Sequence, residues 1–284
     1  MRRRLTPLVA AVAVGGLLVP SGAADAASDA GATGSTDAPT ACSLAPLPSS
    51  PALTALRRTL AGATTDSVRL LAMGSSTTYG MDLDDPSQRW VDRFMEGLAA
   101  RGLDADPDAV SPLSRAAVTR SPGALLVNGA LPGARAETYL AEDLPGLLLM
   151  RASGNAPDIV LHMIGSNDYY TQIPPAVVGA SMRTTIAALD AQPDPPIHVI
   201  ISTYEDPART GAAIPWSAYG QEMARIAAED PEHRVYVDLA PWFHAVEVPG
   251  SDPDGYLDSG GVHPSPAGHQ MIADLLLRAL GYGC

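Results

Sequence analysis

The sequence predicts a three-layer α/β/α domain in which five parallel strands form one sheet covered by helices on both faces. Three observations lead to this prediction. Five short apolar runs contain almost no polar residues, which is typical of strands buried on both faces of a sheet. The runs alternate with longer segments whose apolar residues recur at helical spacing. No internal repeat and no second apolar core is visible, so the chain is expected to form a single domain.

The elements follow one another in a regular order. Serine followed by proline marks the first and last helices, because serine caps a helix N-terminus and proline suits the first helical position. Helices are predicted to begin at Pro51, Trp90, Ala136, Ala176, Ser217 and Pro266. Strands are predicted at 68–73, 124–127, 158–164, 197–202 and 235–237. The proline-rich segment 102–123 is expected to be irregular.

The first residues predict export from the cell. Three arginines precede an apolar run, and Ala24-Asp25-Ala26 supplies the small residues of a cleavage site, so residues 1–26 are interpreted as a signal peptide. The apolar run is too short to favour a permanent membrane span, and no cysteine closely follows it to carry a lipid anchor. Residues 27–48 are predicted to be a flexible lead-in, and 49–284 the folded domain of a secreted protein.

Charge and cysteine content limit the possible partners. A net charge of −13 argues against nucleic acids and anionic membranes as partners. No cluster of histidine, cysteine or aspartate has metal-ligand spacing, so we expect no metal and no cofactor. We also expect a monomer. The two cysteines, Cys42 and Cys284, are expected to form a disulfide after export, with two free thiols as the alternative.

Polar residues follow three of the predicted strands and precede the last helix. Ser75 and Ser76 follow the first strand, Asn128 follows the second, Asn167 follows the third, and His263 precedes the last helix. The carboxyl ends of parallel strands share one edge of the sheet, where such folds bind ligands. A serine becomes a nucleophile when a histidine takes its proton, and fixed N–H donors stabilise the oxyanion formed by attack on an ester. These residues therefore indicate acyl transfer.

Four segments together resemble the GDSL/SGNH hydrolases, a family of esterases and lipases with a flavodoxin-like α/β/α fold. They are Gly74-Ser75-Ser76-Thr77, the segment 128–133, Gly165-Ser166-Asn167-Asp168 and Gly261-Val262-His263-Pro264. Each is weak alone, but they occur in the order that the family shows. The Gly-x-Ser-x-Gly motif of the α/β-hydrolases is absent from the chain.

The resemblance implies specific roles. Ser76 takes the position of the nucleophile, and His263 that of the general base. Three oxyanion donors are implied: the N–H of Ser76, the N–H of Gly133 and the side-chain amide of Asn167.

Two positions depart from the family pattern. Ser75 replaces an aspartate in the first block, which raises the question of which serine attacks. Gly260 stands where the family has the aspartate that orients the histidine. We expect Asp258 to take that role. A backbone carbonyl, which would make a Ser–His dyad, and another acid such as Asp252 or Asp254 remain open.

The sequence says less about the substrate. Loops that frame the expected cleft carry aromatic residues, namely Tyr204, Trp216, Trp242 and Tyr256, and no long apolar lid is visible. We therefore expect a secreted serine esterase that hydrolyses short-chain acyl esters, such as acetyl esters of carbohydrates or lipids, through an acyl-enzyme. The alternatives are an acyltransferase that uses a sugar hydroxyl as acceptor and a non-catalytic carbohydrate-binding protein.

Overall fold

The fold is built around one parallel sheet. The computed structural model describes residues 45–105, 111–112, 122–152, 154–204, 212–242, 255–258 and 261–283. The predicted signal peptide, most of the lead-in, Cys42, Cys284 and Gly260 lie outside the described residues, so predictions about them stay predictions. All described residues fall within one compact unit, Ala38–Cys284.

The five predicted strands are all present, and a two-residue edge strand joins them. The strands are β1 (Ser67–Gly74), β2 (Ser111–Pro112), β3 (Gly123–Asn128), β4 (Ile159–Met163), β5 (Ile197–Ser202) and β6 (Arg234–Asp238). Their order across the sheet is β2-β3-β1-β4-β5-β6, and every pairing is parallel. The edge strand β2 lies in the segment predicted to be irregular, and pairs with Val127 and Asn128 of β3.

Eight α-helices occur in the described part of the chain. They are α1 (Pro51–Ala61), α2 (Ser76–Tyr79), α3 (Trp90–Ala100), α4 (Ala136–Ala152), α5 (Ser166–Tyr170), α6 (Pro175–Asp190), α7 (Trp216–Ala228) and α8 (Pro266–Ala279). Ser50 and Ser265 cap α1 and α8 through their hydroxyls, as predicted. The sequence did not predict α2 and α5, because four or five residues are too few to show helical periodicity.

Two apolar cores lie on opposite faces of the sheet. Along β1, Leu70 and Ala72 belong to the core shared with α1, α3 and α8, whereas Leu71 and Met73 belong to the core shared with α4, α6 and α7. This alternation follows from the two-residue period of a strand. It explains why the run Leu70–Met73 is apolar at every position, because burying each leucine contributes about 1.5–3 kcal/mol.

The strand order reverses at β1, and this places the site. The chain moves from β1 to β3 on one side and later crosses to β4 on the other side. The crevice at the carboxyl ends of such diverging strands is where open α/β sheets bind ligands. The short helices α2 and α5 follow β1 and β4 at this crevice.

In the described ranges we find no helix long and apolar enough to span a bilayer.

Candidate active site

Ser76 occupies the first position of α2, directly after β1. Its Oγ lies 2.9 Å from Nε2 of His263. Ser75 is buried, with 1% of its surface exposed, and its Oγ lies 3.2 Å from Oγ of Ser166. Of the two serines that the sequence left open, the structure therefore brings Ser76 to the histidine and turns Ser75 away from it.

His263 is held by a tight hairpin before α8. Leu257 and Pro264 form an antiparallel bridge, and the N–H of Asp258 donates to the carbonyl of His263 at 2.8 Å. The hydroxyl of Ser265 both caps α8 and donates to the carbonyl of Gly255 at 2.8 Å. Backbone pairing on one side and the helix start on the other thus fix the direction of the imidazole.

The carboxylate on the second nitrogen of His263 belongs to Asp82. Its Oδ2 lies 2.6 Å from Nδ1 of His263. With the Nδ1 proton donated to Asp82, Nε2 is left free to accept the hydroxyl proton of Ser76. The sequence alone assigned no role to Asp82.

The position of Asp258 differs from the prediction. Its Oδ1 accepts the backbone N–H groups of Val262 and His263, at 3.2 and 3.3 Å, instead of bonding the imidazole. The reason is local, because the backbone of Asp258 is paired across the hairpin and its side chain is directed at the amides of the turn. Asp258 therefore stabilises the hairpin that carries His263.

The expected oxyanion donors lie on two loops that are bonded to each other. The side-chain amide of Asn167 donates to the carbonyl of Ala134 at 2.9 Å, which fixes the direction of that amide. Gly133 precedes Ala134 with a φ of +79°, a conformation that glycine adopts without strain. No residue in the described ranges accepts the N–H of Gly133. The structure thus brings Gly133 and Asn167 to neighbouring loops at the same edge of the sheet as Ser76.

Asp168 locks the same two loops, a role that the sequence did not reveal. Its buried carboxylate accepts the N–H of Ala136, the first residue of α4, at 3.2 and 3.0 Å. Burial raises the pKa of this carboxyl, and the hydrogen bond from Ala136 opposes the rise. The Gly-x-Asn-Asp block therefore supplies one residue that faces the cleft and one that holds the neighbouring loop.

A small cavity of about 70 Å³ opens beside Ser76. Its described lining includes Ser76, His263 and Asn167, together with the predicted cleft aromatics Tyr204 and Trp216. Trp242 and Tyr256, the other predicted aromatics, are not among the described lining residues.

Hydrogen bonds immobilise the cavity walls. The indole N–H of Trp216 donates to the carbonyl of Thr203 at 2.9 Å, and the hydroxyl of Tyr204 donates to the carbonyl of Val262 at 2.8 Å. Trp216 also makes an edge-to-face contact with Tyr169, with ring centroids 5.4 Å apart. A wall fixed in this way cannot move aside easily for a larger group.

Asp82, Asp258 and His263 form the one group in the described ranges that could ligate a metal ion, with their ligand atoms within 4.8 Å of one another. Nδ1 of His263 bonds Asp82, and Oδ1 of Asp258 accepts two backbone N–H groups.

Comparison with known proteins places this geometry in a family. Residues 72–271, which contain Ser76, Gly133, Asn167 and His263, match the GDSL-like lipase/acylhydrolase family. The chain belongs to this family. The membership makes it a carboxylic ester hydrolase, and the α/β sheet with helices on both faces agrees with that of other members.

Individual relatives of this family are distant. An arylesterase from Vibrio mimicus is 25% identical over 222 residues, which cover 78% of this chain and 92% of the relative. The acetylxylan esterase Axe2 from Geobacillus stearothermophilus superposes with a TM-score of 0.54 at 20% identity, over 79% of this chain and 99% of Axe2. The psychrotrophic esterase EstA from Pseudoalteromonas sp. gives a TM-score of 0.53 at 14% identity, over 75% and 96% of the two chains. The structural likenesses establish a shared fold.

Proposed function

We propose that this ester hydrolase removes short acyl groups, acetyl foremost, from esters of carbohydrates or similar small alcohols through an acyl-enzyme on Ser76. The observation that carries the proposal is the 2.9 Å contact between Ser76 Oγ and His263 Nε2 at the mouth of a small, rigid cavity. A serine in this contact can lose its proton to the histidine as it attacks.

The reaction proceeds in two halves. Nε2 of His263 takes the hydroxyl proton while Ser76 Oγ bonds the ester carbonyl carbon, and the carbonyl oxygen becomes an oxyanion. The N–H groups of Ser76, Gly133 and Asn167 stabilise that charge, and each donor of this kind contributes about 3–4 kcal/mol where it has been measured. His263 then gives its proton to the leaving alcohol. A water molecule repeats the sequence on the acyl-enzyme and releases the acid.

The cavity supports a short acyl group. Its volume of about 70 Å³ is well below the several hundred Å³ of pockets that enclose whole drug-sized ligands. Trp216 and Tyr204 close it, and both are fixed by hydrogen bonds to backbone carbonyls. A longer acyl chain would have to displace an anchored aromatic ring.

The alcohol side of the substrate is expected at the open rim. Tyr170 and Val262 line the cavity yet remain 51% and 42% exposed. An exposed aromatic ring suits the flat face of a sugar or an aryl group. Two similar proteins, an acetylxylan esterase and an arylesterase, are consistent with this choice of acyl and alcohol.

Export is part of the proposal. The basic start, the apolar run and the small residues at 24–26 are what a secretory signal requires, and the acidic composition suits a protein that acts away from nucleic acid. Expression of the full chain followed by N-terminal sequencing of secreted protein tests this. Cleavage near Ala26 is expected, and retention of the intact N-terminus inside the cell would contradict it.

A substrate panel tests the specificity. We expect p-nitrophenyl acetate to be hydrolysed with a higher kcat/KM than butyrate, and octanoate more slowly still. Trp216→Leu should raise the butyrate-to-acetate ratio by roughly tenfold or more, because one methylene in a pocket is worth about 1–3 kcal/mol. Trp216→Phe, which keeps an aromatic wall, is the matched control. A wild-type preference for octanoate would contradict the short-acyl proposal.

A further inference from the structure

We propose that Asp82, in the turn directly after the nucleophile helix, is the residue that positions His263 and stabilises its charged form, while Asp258 only holds the hairpin backbone. This inference rests on the proposed function, because it concerns the same serine and histidine. The acid that acts with Ser76 and His263 would then come from the turn after α2 and not from the hairpin before α8.

The turn after α2 is shaped to return Asp82 to the histidine. The carbonyl of Ser76 accepts the N–H groups of both Gly80 and Met81 at 3.0 Å, which ends the helix abruptly. Gly80 and Asp82 then adopt left-handed conformations, with φ of +83° and +66°. Such a φ is uncommon for a residue with a side chain, although aspartate tolerates it better than most. Backbone strain of this kind persists where the surrounding structure enforces it, often at functional sites.

The contact has the geometry of a charged hydrogen bond. Oδ2 of Asp82 is 2.6 Å from Nδ1 of His263, although the two residues are 181 positions apart in sequence. Bonds that involve an ionised partner are shorter and about twice as strong as neutral ones. When His263 takes the proton of Ser76, the imidazolium would lie directly against this carboxylate. A carboxylate in that position also holds the tautomer that leaves Nε2 as the acceptor.

The other titratable groups around His263 do not serve as well. Oδ1 of Asp258 accepts two backbone N–H groups of the hairpin. The neutral side-chain oxygen of an asparagine could accept both of them as well. His269, on α8, is buried, and burial followed by the nearby charge of His263 lowers its pKa to about 4. His269 is therefore neutral near pH 7 and adds no positive charge beside the base.

The test compares four variants on p-nitrophenyl acetate, with EDTA present so that no metal contributes. Asp82→Asn keeps the shape of the side chain and suits the left-handed turn. Asp82→Gly also suits the turn and opens space for a small carboxylate from solution. Asp84→Asn is the matched control, because Asp84 is an exposed acid of the same loop with no partner in the described ranges. Asp258→Asn tests the rival acid.

Asp82→Asn should lower kcat by at least about 100-fold. Losing such an acid costs on the order of 10⁴-fold where it is buried, and we expect less here because the Asp82 side chain is 54% exposed. Formate should restore part of the activity of Asp82→Gly. A purely structural role would not produce this rescue.

Asp258→Asn should lose less than about tenfold and Asp84→Asn should match the wild type. A loss of 100-fold in Asp258→Asn with little change in Asp82→Asn would overturn the proposal in favour of Asp258. A loss under fivefold in both would overturn it in favour of a Ser–His dyad. In either case His263→Ala stays inactive. If His263→Ala keeps wild-type activity, the proposed function itself fails.

Discussion

At the scale of single residues, the side-chain amide of Asn167 is held in one direction beside Ser76. One N–H of its amide is bonded to the carbonyl of Ala134 at 2.9 Å, and the residue lines the cavity beside Ser76. A donor fixed before the reaction needs no reorganisation when the oxyanion forms, which is why such donors contribute strongly to rate.

Asn167→Ala should therefore lower kcat by about 10²–10³-fold and leave KM within a few-fold of the wild type. Steady-state kinetics on a short ester measure both constants. Asn167→Asp, which is nearly the same size but presents acceptors to the oxyanion, should be at least as damaging. An Asn167→Ala enzyme with unchanged kcat would show that this amide does not contact the oxyanion.

The roles of the two acids, Asp82 and Asp258, could not be predicted from the sequence. The blocks containing Ser76, Asn167 and His263 were recognisable because their residues are contiguous. Asp82 was not, because its contact with His263 joins two turns far apart in the chain and depends on a left-handed backbone. The available signal was an acidic residue shortly after a glycine that ends the nucleophile helix. The prediction for Asp258 was wrong because its side chain accepts backbone N–H groups within the hairpin and does not bond the imidazole of His263.

At the scale of elements, β4 and β5 are joined by a buried pair of histidines. Nε2 of His162 lies 2.9 Å from Nδ1 of His198, and Nε2 of His198 lies 2.9 Å from Oδ1 of Asp190 on α6. Both histidines are buried in the core and hydrogen-bonded. Burial first, and then the positive charges of His198 and Arg234, hold the pKa of His162 well below its ordinary value of 6.5.

This arrangement predicts loss of stability in acid. The unfolded chain binds a proton at His162 near pH 6.5 whereas the folded chain does not, so the free energy of unfolding falls as pH drops below about 6.5. His269 acts in the same direction down to about pH 4. Thermal unfolding between pH 7.5 and 4.5 measures the slope. His162→Gln, which can still donate to His198, should reduce the slope. An equal slope in His162→Gln would contradict this account.

The larger elements were predictable because burial on both faces of the sheet leaves an apolar run for each main strand and a periodic apolar face for most helices. The edge strand β2 was not, since two residues give no pattern and one of them is proline. The catalytic helices α2 and α5 are equally short, so the site was located by its residue types and not by its secondary structure.

At the scale of the whole molecule, the two ends of the domain lie side by side. The N–H of Leu47 donates to the carbonyl of Ala279 at 2.9 Å, and Nε of Arg57 donates to the carbonyl of Leu280 at 2.7 Å. Cys42 and Cys284 each lie a few residues beyond these contacts in sequence. A disulfide between the two cysteines would therefore require little additional ordering of the chain.

We expect the purified mature protein to contain this disulfide, and its removal to cost about 2–5 kcal/mol. Peptide mapping without reduction should yield a linked pair of peptides, and Cys42→Ser with Cys284→Ser should lower Tm. Thiol reagents should modify neither Cys42 nor Cys284 in the native protein. Two thiols that can be alkylated in the folded, exported protein would show that the bridge does not form.

Covalent labelling by an alkyl fluorophosphonate identifies the hydroxyl that attacks the ester, because the adduct occupies the position of the tetrahedral intermediate. We expect stoichiometric modification of Ser76, mapped by peptide mass spectrometry, with loss of esterase activity in step with labelling. Ser75→Ala should label as the wild type does, and His263→Ala should label far more slowly. Modification at Ser75, or full activity in protein labelled at Ser76, would contradict the account.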